Sequence, residues 1–261
     1  MRGASAKIGY DCIARQVITP TGPEEPVVVP PALVERTLEL LMLHCTSDEE
    51  AVRNVVADCL GKLTLLDAAR LIPALQGRLT DTSANARATM VLSLKCCITD
   101  KPQPVDAALA PALEKFLLRM EDDDRHVRRA AVQVLNVGAH NKASLIQGLL
   151  PTLMPLLYQQ TVQRPDLVRV VDLGPFKHTV DDGLELRKSA FECLDTLLDS
   201  SLDYLDAAEF LKHLQVLTPR LARLCAVAAR GFCRAKTCAG FLYTPRQSPR
   251  NTPEFHRGLS Q

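Results

Sequence analysis

The chain has 261 residues, 47% of them apolar but only 4% aromatic, with no tryptophan. Leu, Ala and Val carry the apolar content, which favours helices packed on helices over a sheet. The net charge of +1 hides an asymmetry: residues 1–215 hold 23 Lys+Arg against 29 Asp+Glu (−6), while residues 216–261 hold 8 against Glu254 alone (+7). That split predicts a body and a tail of different use.

Nine cysteines are present. Cys45, Cys59, Cys96, Cys97 and Cys193 fall inside apolar helical runs, and buried free thiols fit a reducing compartment. Met1 to Tyr10 lacks the apolar core of a signal peptide. The stretch Leu145 to Tyr158 carries Gln147 and two prolines and is too short to span a bilayer. The expectation is a soluble, intracellular protein.

From the start, Met1 to Pro30 reads as part of a helix and then a Pro-rich linker. A repeat follows, the sign of a stacked architecture. Asp48-Glu-Glu-Ala-Val-Arg53 is an acidic turn running into an amphipathic helix. Asp81 to Arg87, Asp122 to Arg128 and Asp182 to Arg187 read the same way, with the arginines 34, 41 and 59 residues apart. An apolar helix precedes each: Pro31 to Cys45, Ala69 to Leu79, Ala107 to Met120 and Ser144 to Tyr158. Pro73, Pro111 and Pro151 recur at a similar place in three of them, where a proline removes a backbone bond and bends the axis.

Neither helix of a unit can bury its apolar stripe alone. Val52, Val55, Val56, Cys59, Leu60 and Leu63 form one face of the second helix in unit one; Val127, Ala130, Ala131, Val134 and Leu135 do so in unit three. Stacking buries these faces. Ser47 with Glu50, and Asp182 with Glu185, are expected to cap their helices. The period predicts an all-α, HEAT/ARM-type α-solenoid over residues 31–215.

The last spacing exceeds the others, and the excess lies between Gln159 and Asp182. Leu167 to Leu173 is rich in valine and alternates imperfectly. Gly174-Pro175 breaks the chain, and Phe176 to Val180 alternates again. Two short β-like runs about a Gly-Pro turn predict an inserted hairpin or extended loop. A two-stranded hairpin is marginal alone, and loops on a regular scaffold often carry binding residues.

No phosphate-binding glycine loop is present. His178 beside Asp181 and Asp182 could be drawn as an acid–base pair, but neither a nucleophile nor a second orienting group is near in sequence. Cys225, Cys233, Cys238 and His256 match no regular zinc spacing. Cys96 and Cys97 read as core. The acidic runs Asp48 to Glu50 and Glu121 to Asp124 sit at helix starts, where they favour the helix dipole. No catalytic residue, metal or cofactor is expected.

At Gly174-Pro-Phe-Lys-His-Thr-Val-Asp-Asp-Gly183 and Leu184-Glu-Leu-Arg-Lys-Ser-Ala-Phe-Glu-Cys193, with Leu197-Leu-Asp-Ser200, the sequence closely resembles the C-terminal domain of the cullin-associated, neddylation-dissociated proteins. These are also called TATA-binding-protein-interacting protein 120. Arg53-Asn-Val-Val-Ala57, Cys59-Leu-Gly-Lys-Leu-Thr64 and Ala139-His-Asn-Lys142 resemble the same family. The match runs from about Leu33 to Leu214. Small differences from the commoner paralogue point to the second, muscle-enriched branch. The resemblance implies a non-enzymatic HEAT scaffold of the ubiquitin-conjugation pathway, in the nucleus and cytoplasm. Such scaffolds hold an unmodified cullin with its RING subunit and exchange substrate receptors on cullin–RING (SCF-type) ligases. It places Val170, Asp172, Gly174, Pro175, Phe176, Lys177 and His178 on the cullin's adaptor-binding surface. It also links the chain to the TATA-binding protein and transcription regulation. No small-molecule substrate and no membrane partner are implied.

Family members are several times longer, so the chain is expected to be a C-terminal-region piece or short isoform with a divergent end. In the basic tail, Thr218 can cap a helix with Pro219 at its first position and Gly231 just past its end. Leu221, Leu224, Cys225 and Ala228 form one face of it; Arg220, Arg223 and Arg230 line another. Disorder is expected after Gly231.

Overall fold

The structure, a computed structural model, describes residues 29–173 and 176–216. Met1 to Val28, Gly174, Pro175 and everything after Val216 lie outside the described residues, and with them the expected N-terminal linker, tail helix and C-terminal cysteines.

Helices follow one another as antiparallel pairs: α1 (Pro31–His44) with α2 (Glu50–Leu66), and α3 (Ala68–Gly77) with α4 (Ala84–Ser93). Then come α5 (Val105–Leu117) with α6 (Arg125–Asn141). A one-turn helix, α7 (Ala143–Ile146), leads into α8 (Leu150–Thr161). Two strands, β1 (Val168–Leu173) and β2 (Phe176–Asp181), stand between α8 and its partner α9 (Leu184–Ser200). The last described helix is α10 (Ala207–Val216). The second helices α2, α4, α6 and α9 pack side by side. One continuous apolar core runs from Cys45 to Phe210, with a small satellite of Val34, Leu63 and Leu71 at the first end. The architecture is the expected helical solenoid with a small β insertion.

The turn into each second helix is built the same way. Ser47 Oγ accepts from the Glu49 amide at 3.3 Å, Asp81 Oδ1 from Ser83 at 2.9 Å, and Asp122 Oδ1 from Asp124 at 3.0 Å. Asp181 Oδ1 accepts from Gly183 at 2.9 Å. Six residues after the first three of these, an arginine reaches back to the turn. Arg53 donates to the carbonyls of Ser47 and Asp48, Arg87 to those of Asp81 and Thr82, Arg128 to those of Asp122 and Asp123. The true period therefore begins one residue earlier in units one and four, at Ser47 and Asp181 rather than Asp48 and Asp182.

That shift corrects the expected caps. Helix α2 starts after Glu49 and α9 after Gly183, neither with a side-chain cap. Ser47 has already closed its turn, and Asp182 pairs with arginines. The sequence-level capping rule holds at Ser83, which caps α4, and at Asp124, which caps α6 through His126 and Val127.

The first helix of unit four differs from expectation. Ser144 to Tyr158 is not continuous, because the chain breaks into a 3₁₀ turn at Gln147–Leu149. Pro151 lies in the first turn of α8, where its missing N–H costs nothing. The proline that stands inside the helix, as Pro73 does in α3 and Pro111 in α5, is Pro155.

The core face of unit three is buried throughout as expected, but that of α2 is rotated. Val55 is 38% exposed, while Ala57, Gly61 and Thr64 are buried. The cause is Gly61. A Cβ there would collide with the Ser93 carbonyl oxygen and lie 2.7 Å from the Cβ of Cys96, so its absence lets α2 press onto the end of α4. The same approach splits the vicinal cysteines: Cys97 is buried with its thiol on the Gly61 carbonyl. Cys96 is only half-buried in a 3₁₀ turn, with its thiol on Asp58 at 3.2 Å. Burial first, then the Asp58 hydrogen bond, push the Cys96 thiol up to about 12. Cys59, expected in the core, is also half-buried.

Gly61→Ala should lower stability by about 2 kcal/mol or more, although Ala is the better helix former by about 1 kcal/mol in open positions. Gly77→Ala, whose Cβ would meet nothing within 4 Å, should be neutral or slightly stabilising. The shift in urea midpoint checks both, and equal shifts would show that contact between α2 and α4 does not matter.

Candidate functional site

The insertion folds as an antiparallel pair in the register Val168↔Asp181, Arg169↔Val180, Val170↔Thr179, Val171↔His178, Asp172↔Lys177 and Leu173↔Phe176. Valine in β1 and alternation in β2 suit strands, and no other strand adjoins them among the described residues. Register puts Val170, Asp172 and Lys177 on one face, and Val171 and His178 on the other.

The base of the hairpin is fixed and its outer half stands in solvent. The Asp181 carboxylate meets Arg187 of α9 at 2.7 Å and the Gln163 amide at 3.0 Å. Asp182 meets Arg125 of α6 at 3.1 Å and Arg169 of β1 at 3.0 Å, and its amide donates to the Leu167 carbonyl. Arg187 holds the Asp181 carboxyl below the usual carboxylate range; Arg125, then Arg169, do so for Asp182. Two neighbouring carboxylates thus tie the strands to both second helices beneath them. Further out, Val170 is 62% exposed. Asp172, Lys177 and His178 are exposed, and among the described residues none of their side chains takes part in a hydrogen bond or ion pair.

Of the seven expected site residues, Val170, Asp172, Lys177 and His178 come together on the free part of the hairpin. Phe176 enters through its backbone pairing with Leu173, while Gly174 and Pro175 lie outside the described residues. His178 forms no pair with Asp181 or Asp182, whose oxygens are taken by arginines. The residues missed by sequence reasoning are the anchors Arg125, Gln163, Arg169, Asp181 and Arg187. Asp181 was legible: it stands six residues before Arg187, as Asp81 does before Arg87 and Asp122 before Arg128. Arg125 and Gln163 carry no such signal, because their contacts depend on where the hairpin leans.

A shallow groove also runs along α2, α4 and α6, lined by Glu50, Arg53, Asp58, Lys95, His126 and Arg129 among others. Its charges are mixed. Among the described residues no cluster of His, Cys, Asp or Glu could hold a metal ion. No described helix is long and apolar enough to cross a membrane.

Residues 145–217, which contain the hairpin and its supporting helices, match the family profile described as TATA-binding protein interacting (TIP20). The cullin-associated NEDD8-dissociated protein 1 of Arabidopsis thaliana is 54% identical over 178 residues, covering 68% of this chain and 15% of that protein. Its counterpart in Drosophila melanogaster is 46% identical over 199 residues, covering 71% and 16%. Cullin-associated NEDD8-dissociated protein 2 of Mus musculus is 39% identical over 232 residues, covering 79% and 19%. The chain belongs to the cullin-associated NEDD8-dissociated family. Both numbered branches are among these relatives, so the similarity identifies the family rather than the branch. Among solved structures, an engineered protein superposes with a TM-score of 0.47 at 16% identity, over 80% of this chain and 85% of that one. The chain spans less than a fifth of the length of the family members it matches.

The folded hairpin depresses the Asp181 and Asp182 carboxyls, so its anchoring is fully present above the unfolded carboxyl value of about 3.9 and is lost as pH falls through the lower folded values. The protection factors of the β1 and β2 amides, relative to the intrinsic rate at each pH, should therefore fall below about pH 4. Asp181→Asn should produce several-fold faster exchange at neutral pH with α6 unchanged. Strand exchange indifferent to both would remove these carboxylates as anchors.

Proposed function

We propose that this chain is a non-enzymatic cullin-binding scaffold of the ubiquitin-conjugation pathway, and that its contact is the free half of the hairpin. The observation that carries the reading is a pair of strands joined by no other strand among the described residues, with exposed side chains at Val170, Asp172, Lys177 and His178, and anchored at its base by Asp181 and Asp182. An anchored, otherwise unpartnered hairpin is pre-organised for a partner, which lowers the ordering cost of binding. The names of the relatives support a cullin as that partner, and in this reading it is a cullin not carrying NEDD8. Seated on the adaptor-binding surface of such a cullin, with the RING subunit bound beyond, the hairpin would compete with adaptors. It would so regulate assembly and substrate-receptor exchange of SCF-type ligases.

The profile's description supports a second reading, a transcription-related binder of the TATA-binding protein, in which the +7 tail contacts nucleic acid or an acidic partner. It predicts binding that weakens steeply with salt and disappears without residues 216–261.

The cullin reading is tested by calorimetry of the full chain with an unmodified cullin–RING pair. Changing Phe176 and Lys177 together to alanine should weaken binding about tenfold or more, the loss typical of a central contact, with the helical signal unchanged. Absence of binding to the unmodified cullin would sink the reading. Unchanged affinity in the double variant would move the contact off the hairpin.

A further inference from the structure

Arg128 holds in unit three the place that Arg87 holds in unit two, yet only Arg87 has a carboxylate. Both send Nη1 to two carbonyls of the turn before them. Two further donors of Arg87 hold Asp122 of the next unit, Nε at 2.9 Å and Nη2 at 2.7 Å. On Arg128, which is 3% exposed, the buried Nε has no partner. A guanidinium is a planar fork whose donors match the edge of a carboxylate or phosphate, and a buried donor left unmade is costly.

The carboxylates around Arg128 are engaged elsewhere. Asp122 is held by Arg87, and Asp124 caps α6 through the amides of His126 and Val127. Asp181 stands in unit four where Asp122 stands in unit three, and it is held by Arg187. Asp166 meets Arg164 at 3.3 Å. Arg164 adds a second positive charge here: burial, and then Arg164, hold the Arg128 pKa below the usual arginine value.

The place is reachable from outside. One unit earlier, Arg87 and Asp122 line an open groove at the rim of the stack, beside Leu79 and Arg119. The equivalent rim in unit four is crossed by the connection from α8 to β1, whose residues Val162 to Asp166 are all exposed. The side chains of Arg164 and Asp166 are 47% and 59% exposed, so either can turn without disturbing a helix.

We propose that Arg128 and Arg164 form a seat for one oxyanion, a carboxylate or a phosphate group, beside the base of the hairpin. The anion accepts from Arg128 Nε, as Asp122 accepts from Arg87 Nε, and takes Arg164 over from Asp166. It relieves the repulsion between the two guanidiniums and satisfies the buried donor in one step. Two sources share this chemistry, an acidic side chain of a bound protein and free phosphate. The seat does not depend on what the hairpin binds, because both arginines belong to this chain.

The test follows the Arg128 Nε–Hε signal by NMR in the full chain, titrated with inorganic phosphate against chloride at constant ionic strength. Arg128→Lys, which keeps a cation for the turn carbonyls but has no Nε, identifies the signal. Phosphate should shift it saturably in the millimolar range. Arg164→Gln should weaken the apparent affinity several-fold, and Asp166→Asn, which removes the competing carboxylate, should strengthen it several-fold, with the helical circular dichroism unchanged in both. A short aspartate peptide that displaces phosphate assigns the seat to protein carboxylates; phosphate binding that the peptide leaves unchanged assigns it to the free ion, and both support the seat. A linear response that chloride matches, or an affinity indifferent to Arg164→Gln, would overturn it.

Discussion

Every second helix in units one to three begins beneath a guanidinium that has reached backwards. Arg53, Arg87 and Arg128 each donate to two carbonyls of the preceding turn. Those carbonyls belong to residues between helices, where no intrahelical amide can satisfy them. The arginine does two things at once. It fixes the angle between first and second helix, and it brings a positive charge among acidic turn residues. Antiparallel pairs of constant geometry can then stack, and stacking is what buries the apolar faces. The apolar pattern alone would allow many crossing angles; the arginine selects one.

Only between the second and third units, among the described residues, does the same arginine also span units. Arg87 holds the Asp122 carboxylate with two bonds, at 2.7 and 2.9 Å, both side chains largely buried. Burial alone would raise the Asp122 carboxyl, yet the Arg87 bonds overcome that and hold it low. One unit on, Arg128 has no such partner. It is 3% exposed, its Nε meets nothing, and burial and then the nearby Arg164 lower its pKa. The carboxylate in the equivalent place is Asp181, and it belongs to Arg187 instead. The hairpin has interposed itself here. Its base takes over the link between units through Arg125 and Asp182.

What the sequence made legible follows from what is local. The arginine period, the unit-three core face and the two β-like runs are patterns within a few turns, and each corresponds to a structural element. The rotation of α2 was not legible, because it comes from Gly61 meeting Ser93, a residue of the next unit. Neither was the choice of Pro155 over Pro151, since the break at Gln147–Leu149 moves the helix start by several residues. The hairpin's outward residues could be read from alternation. Its anchors could not, apart from Asp181, because Arg125 and Arg187 lie on α6 and α9, Gln163 and Arg169 beside the hairpin itself, and which of them the base meets is set by packing.

The geometry also explains why the binding element stands where it does. A hairpin of six-residue strands cannot hold its own shape in water. Placed between α8 and α9, it inherits the rigidity of two stacked helices through paired carboxylates at its base, and the cost falls on Arg128, left without a carboxylate beneath it. A free end of the stack offers no such support, because one side of the base would lack a neighbour. The insertion therefore needs a complete unit before it and a seated α9 after it.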